Sequence, residues 1–352
     1  MLWLAYKTSL KAVLINGGYF IVAKFLIMKY FPVYRLNEVI SKTFEKTISL
    51  DIAQGIRDGL DSMIHFVDEK GGPLSTIAEI IDKPILIDKD EPKRYVKISA
   101  AYSQMLWLIC SIVMRNHDSL AINYEIEQMS IEEHKSFLRE LEIDNTITKY
   151  IRALLDQKVV FSESADILNK IEILSNRKLS DEEMEQLYTY DMTSDIGVRV
   201  NSLYVYAMSF ILLHEFSHHS LNHDFNHYGT TEEEEVADHN AFWTLYSDLK
   251  GNERTTALLG ILCALVSLIF VNPSLEDDGI HPLPIERVFY FYDIVKDECP
   301  KFAGLMCHLF YTWAVYVHDD NMPQLDGPYD DTLDIIKVYM IAKEHQANNS
   351  GA

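Results

Sequence analysis

The sequence predicts a mainly α-helical fold with a small β-sheet, split into a mostly helical N-terminal region (residues 1–195) and a second domain (residues 196–352). Three observations lead there. Apolar residues recur at helical spacing, or fill whole helical windows, over most of the chain beyond residue 50. Strand-like runs are few and short, at Ile85–Ile87 and Tyr95–Ile98. From about Asn201 the character changes, and the apolar run Leu203–Leu213 passes straight into His214-Glu215-Phe216-Ser217-His218-His219.

Taken in order, Ala12–Ala23 is an apolar run interrupted by Asn16-Gly17-Gly18, a pair of short segments joined by a hairpin turn. It lacks the unbroken apolar stretch and small-residue cleavage site of a signal peptide. Ile52, Ile56, Leu60 and Ile64 lie at helical spacing and predict a helix over Asp51–Val67. Ala100–Arg115 is apolar nearly all round, so it reads as a buried helix. Ser130 with Glu133, and Ser180 with Glu183, match the capping box, in which a hydroxyl and a carboxylate satisfy the unpaired N–H groups of a helix start. The acidic run Glu232–Glu235 opens another helix. Ala257–Val271 carries no charge over 15 residues, short of the ~20 a membrane span needs, and reads as a core helix. A proline-containing loop, His281-Pro282-Leu283-Pro284, leads into a last helical stretch over roughly residues 285–345.

Composition narrows the function. With 48% hydrophobic and 24% charged residues, the 352-residue chain is ordinary globular material and not a disordered one. Its formal charge of −22 repels phosphate backbones, which excludes nucleic acid as an expected partner. The first acidic residue is Glu38, so Lys7, Lys11, Lys24, Lys29 and Arg35 make a basic start to an acidic protein. That asymmetry keeps peripheral membrane contact open. The four cysteines, Cys110, Cys263, Cys299 and Cys307, show no CxxC spacing; they predict buried thiols in a reducing, cytoplasmic setting.

The chemistry sits in three elements. His214-Glu215-x-x-His218 is an HExxH motif. Residues four apart share a helix face, so both imidazoles reach one metal ion, while Glu215 falls beside the water on that metal, where a general base belongs. The competing reading is a pair of core histidines satisfied by hydrogen bonds. Sixteen residues beyond His218, Glu234-Glu235-Val236-Ala237-Asp238 puts Glu234 and Asp238 on one face. Two His and one Glu form a common catalytic zinc set, and a ligand imidazole commonly donates its other N–H to a carboxylate. Glu234 is thus the expected third ligand, with Glu235 as the alternative, and Asp238 the expected support of His214. In the third element, His281 is placed to donate to a developing oxyanion, and Arg287 to anchor either the loop or the reacting intermediate. A surface salt bridge is the plainer reading of Arg287.

These three elements, in this order, resemble the gluzincin metallopeptidases. The stretch from HEFSHH to EEEEVADHNAF looks like the phage-exclusion Lit-type peptidases of bacteria, and the His281-Pro282…Arg287 spacing is similar to that of the membrane prenyl-protein (CAAX) proteases. The likeness covers residues 214 to 287. It implies a zincin-like catalytic domain and zinc held by His214, His218 and Glu234. It also implies Glu215 as the catalytic acid/base, with His281 or Arg287 stabilising the transition state. The expected activity is therefore a zinc-dependent endopeptidase, acting on a protein or peptide substrate through a Glu-activated water and serving phage defence. The alternative is a regulatory or partner-binding protein that keeps the scaffold without turnover.

Overall fold

A computed structural model describes residues 64–67, 78–83, 93–143, 146–176, 195–220, 230–271, 275, 282–299 and 301–350. Three short backbone strands come first: β1 (Ile64–Val67), β2 (Ala78–Lys83) and β3 (Lys93–Ser99), in the order β1-β3-β2. β1 runs parallel to β3 and β2 antiparallel to it. Ten helices follow. They are α1 (Ala100–Glu127), α2 (Ile131–Leu141), α3 (Thr146–Leu155), α4 (Gln157–Asn176) and α5 (Asp195–Ser220), then α6 (Thr231–Tyr246), α7 (Gly251–Val271), α8 (Pro284–Val295), α9 (Phe302–Tyr316) and α10 (Tyr329–Ser350).

The expected fold class needs correction. The mainly α character stands, but the small sheet predicted for a zincin-like catalytic domain is absent: among the described residues of 196–352 every element is a helix. The reason is visible in the chain. Its apolar runs there are long and continuous, with no period-two alternation that would give a strand one wet face. A second correction falls on Asp51–Val67, where Ile64–Val67 is strand rather than helix end: parallel pairing with β3 overrides the helical spacing. The rest of that segment, the Asn16-Gly17-Gly18 turn, Ile85–Ile87 and the Ser180–Glu183 cap lie outside the described residues.

α1 is the central helix. Met105, Leu106, Ile109 and Ile112 are wholly inaccessible, and the helix packs on α4, α5, α7 and α9. One core cluster runs from Tyr102 on α1 through α5, α7, α8 and α9 to Met340 on α10, across the boundary expected at residue 195. A smaller cluster of Ile122, Leu141, Ile151, Leu154 and Val160 ties α2, α3 and α4 to the far end of α1. The Ser130–Glu133 capping box is formed at the start of α2.

Two features hold α5, which carries HEFSHH. At its N-terminal end, buried Asp118 of α1 accepts from Arg199 Nη1 at 2.8 Å and Nη2 at 2.5 Å, and from the Tyr150 hydroxyl of α3 at 3.1 Å. Burial alone would raise the Asp118 pKa; the Arg199 charge and the hydrogen bonds from His117 and Arg199 reverse that and lower it. Further along, α7 crosses α5 at Gly260. A Cβ there would stand 2.5 Å from Tyr206 Cβ and 3.0 Å from the Ala207 nitrogen, so only glycine lets the two helices approach this closely. α7 is the helix of the uncharged Ala257–Val271 run. Its length and composition would also suit a membrane crossing, but 72% of its apolar window is buried against the rest of the protein. Cys110, Cys263 and Cys307 are buried free thiols and Cys299 is partly buried.

Candidate active site

α5 ends in the HExxH stretch, so its last two turns bring His214 and His218 to one face. α6 lies against that face. Its start is set by Thr230, whose hydroxyl accepts from the Glu233 N–H at 3.3 Å while the Glu233 carboxylate accepts from the Thr230 N–H at 3.1 Å. This cap fixes the phase of the helix. Glu234 turns inward and is 5% exposed, whereas Glu232 and Glu235 face solvent. Ala237, wholly buried one turn on, lets α6 sit close. The T-x-x-E signature of this cap, Thr230 with Glu233, is present in the sequence ahead of the rest of the acidic run.

Two imidazole nitrogens and the two oxygens of one carboxylate converge. His214 Nε2 and His218 Nε2 are 3.1 Å apart; His214 Nε2 lies 3.2 Å from Glu234 Oε2, and His218 Nε2 lies 3.2 Å from Glu234 Oε1. Donors on a tetrahedral ion at about 2.0–2.1 Å would be separated by about 3.3 Å. One ligand atom from each of the three residues lies within 4.8 Å of the others, close enough for the group to hold a metal ion, and among the described residues it is the one group of this kind. Its chemistry agrees. Asp238 Oδ1 lies 2.9 Å from His214 Nδ1, and a carboxylate only accepts, so Nδ1 carries the proton. In the neutral ring this leaves Nε2 as a lone pair aimed at the His218 nitrogen and the Glu234 carboxylate, an arrangement that calls for a proton or a cation at its centre.

Electrostatics sharpen this. Burial pushes the His214 pKa down, but hydrogen bonds to Asp238 and Glu234 win and lift it to about 10. Burial pushes Glu234 up, and the two imidazoles hold it down instead. The metal-free site thus keeps a proton on His214 at neutral pH, which a metal ion would displace.

Asp238 is held in turn. Arg287, in the first turn of α8, donates to Asp238 Oδ2 from Nε at 2.7 Å and to Oδ1 from Nη2 at 2.6 Å. Burial opposes ionisation of Asp238; the Arg287 charge and the His214 hydrogen bond overcome it and lower the pKa to about 2. Pro284 at the first helical position places the guanidinium, because its ring presets the helical φ where no N–H is needed. Arg287 is thus neither at the surface nor in an exposed salt bridge: it closes a chain Arg287–Asp238–His214. Glu215 follows His214 on α5 and is partly exposed, unlike the triad. His281, His223 and His227 lie outside the described residues. His239 is exposed and accepts from Trp243 Nε1 at 2.9 Å, away from the triad.

The profile of the peptidase U49 family matches residues 96–296. The chain belongs to the peptidase U49 family. No curated protein and no solved structure matches it. The U49 match begins at the end of β3 and closes just beyond α8, so it takes in the triad, Asp238 and Arg287. It also reaches more than a hundred residues upstream of HEFSHH. The matched residues therefore include α1 to α4, of which α1 and α4 share one core with α5 while α2 and α3 belong to the smaller cluster. As a peptidase of this family, the chain acts on protein or peptide substrates.

Proposed function

We propose that this U49 peptidase is a zinc-dependent endopeptidase whose centre is His214, His218 and Glu234. The observation that carries the proposal is the buried group of two imidazole nitrogens 3.1 Å apart, each 3.2 Å from a different oxygen of the Glu234 carboxylate. Two His and one Glu favour zinc over harder ions such as magnesium or calcium. Zinc bound there would polarise the scissile carbonyl and acidify water.

The protein's own residues do the rest. His214 and His218 are rigid because both sit on a buried helix, and Asp238 fixes the His214 ring with its proton on Nδ1. Glu215, partly exposed and next to His214 in the chain, takes a proton from the attacking water and delivers it to the leaving amine. His281, on the segment leading into α8, is the residue we assign to the developing oxyanion. Arg287 acts from behind the site, through Asp238. The likeness of the His214–Asp238 stretch to Lit-type peptidases supports a role in phage exclusion, read as plating efficiency in cells with and without the intact gene.

Glu215→Gln tests the mechanism. The variant keeps zinc and loses cleavage of any protein substrate found by mass spectrometry of newly formed N-termini. Retained cleavage would sink the assignment of Glu215, and stoichiometric zinc without any cleavage by wild type would favour a partner-binding role.

A further inference from the structure

Helix α8 begins without a cap of its own. Its N-cap residue is Leu283, whose side chain is apolar, and Pro284 follows at the first helical position. Pro284 has no N–H to satisfy, but the Ile285 N–H is one of the donors a helix start leaves open, and it needs an acceptor from elsewhere. That acceptor comes from the C-terminal helix: Glu344 Oε1 of α10, 59 positions along the chain, accepts from it at 3.4 Å. Both residues are wholly buried, so solvent does not take the place of the carboxyl oxygen. α10 reaches this point by running antiparallel along α8. The Tyr292 hydroxyl donates to Asp330 Oδ1 at 3.2 Å and Lys337 Nζ to Asp293 Oδ2 at 3.3 Å, with Glu344 beside Ile285 at the other end. The turn that Glu344 closes is the turn that carries Arg287. The Arg287 N–H donates to the Leu283 carbonyl at 3.1 Å, and its guanidinium holds Asp238, which in turn meets His214. α10 lies wholly beyond residue 296, where the U49 match stops.

We infer that Glu344 is a positioning residue for the active site: a cap supplied to α8 by the C-terminal helix, which keeps the first turn of α8 wound and so keeps Arg287 seated on Asp238 behind His214. A side-chain oxygen on the N–H of the second or third helical residue is what Ser, Thr, Asp or Asn provides from the N-cap itself. Leu283 occupies that place here, and the oxygen arrives from another helix instead. Glu344 has a further interaction besides this one, on which the cap does not depend. The consequence for the metal rests on the centre proposed above.

Two measurements on the full-length protein test it: amide hydrogen exchange at the start of α8, and zinc affinity by competition with a chromophoric chelator. Glu344→Leu removes the acceptor. Loss of a cap is expected to speed exchange at Ile285 to Arg287 by about 2- to 30-fold. Zinc binding should weaken by about 2- to 10-fold, less than the 10- to 100-fold of a group that touches a ligand directly. Glu344→Gln keeps an oxygen and should leave both quantities near wild type. The variant that isolates the cap is Glu344→Leu/Leu283→Asp, which rebuilds the acceptor locally and restores nothing else that Glu344 touches; it should recover both exchange protection and zinc affinity. In an Arg287→Met background, Glu344→Leu should weaken zinc no further, because the group it serves is gone. Unchanged exchange in Glu344→Leu overturns the cap. Faster exchange beside unchanged zinc affinity overturns the positioning role, as does a zinc loss that Leu283→Asp leaves unrepaired. Should Glu344→Leu fail to fold, the double variant carries the test: the local cap must restore folding, and failure to do so overturns the inference. A wild type that binds no zinc removes the metal-centre reading, and the positioning role with it. A wild type that binds zinc as tightly as Glu344→Leu removes this inference alone.

Discussion

Asp238→Asn separates what this carboxylate does for the fold from what it does for the metal. The side chain accepts three hydrogen bonds, two from Arg287 at 2.6 and 2.7 Å and one from His214 Nδ1 at 2.9 Å. Asparagine keeps the shape but turns one acceptor into an NH2 that faces a guanidinium, and it removes the carboxylate charge paired with Arg287. Leaving a buried charge without its partner costs about 3–5 kcal/mol. Losing the carboxylate behind a ligand histidine costs about 10- to 100-fold in metal affinity, or about 1.4–2.8 kcal/mol at 1.4 kcal/mol per tenfold. Urea unfolding of the metal-free protein reads the first quantity, and chelator competition on the folded protein reads the second. The double variant Asp238→Asn/Arg287→Met should recover most of the stability, since no unpaired charge remains, but not the affinity. Zinc affinity within about twofold of wild type, together with an unchanged unfolding midpoint, would refute the chain from Arg287 to His214.

Three further outcomes are expected. Gly260→Ala forces a Cβ to within 2.5 Å of Tyr206 Cβ; parting α5 from α7 should cost about 1–3 kcal/mol by thermal melting and weaken zinc binding, because α5 carries both imidazoles. Arg199→Met leaves Asp118 charged and buried, with a stability loss of about 3–5 kcal/mol in urea; a loss no larger than that of a surface arginine would show that the pair is spectator to the fold. Acid should also act through Asp238. Its folded pKa, about 2, lies below its ordinary 3.8, so its share of stability is complete above the ordinary value and disappears as pH falls toward 2. The span corresponds to about 2 kcal/mol for this one group, and Asp238→Asn should flatten that part of the pH–stability curve of the metal-free protein.

Much of the candidate site was legible because helices convert sequence spacing into shared faces. The four-residue steps from His214 to His218 and from Glu234 to Asp238 survive as stacked pairs on α5 and α6. The choice between Glu234 and Glu235 was a question of helix phase, and the phase is set by the Thr230–Glu233 cap, a local signal present in the chain. Arg287 was visible as a residue of interest, but its partner was not: it meets Asp238 from 49 positions away, a closure only the packing of α8 decides. The fold was read correctly as mainly helical. The expected sheet of the catalytic half failed because it came from a resemblance between site motifs, and a metal-binding pair of helices does not specify the layers around it.

The central claim is the metal centre, and elemental mass spectrometry of the purified protein beside His214→Ala tests it most directly. About one zinc per chain in wild type, lost in the variant while the helical signal is kept, is the predicted result. A folded wild type that takes up no metal after zinc supplementation would contradict it, and would leave His214, His218 and Glu234 as a hydrogen-bonded triad in the core.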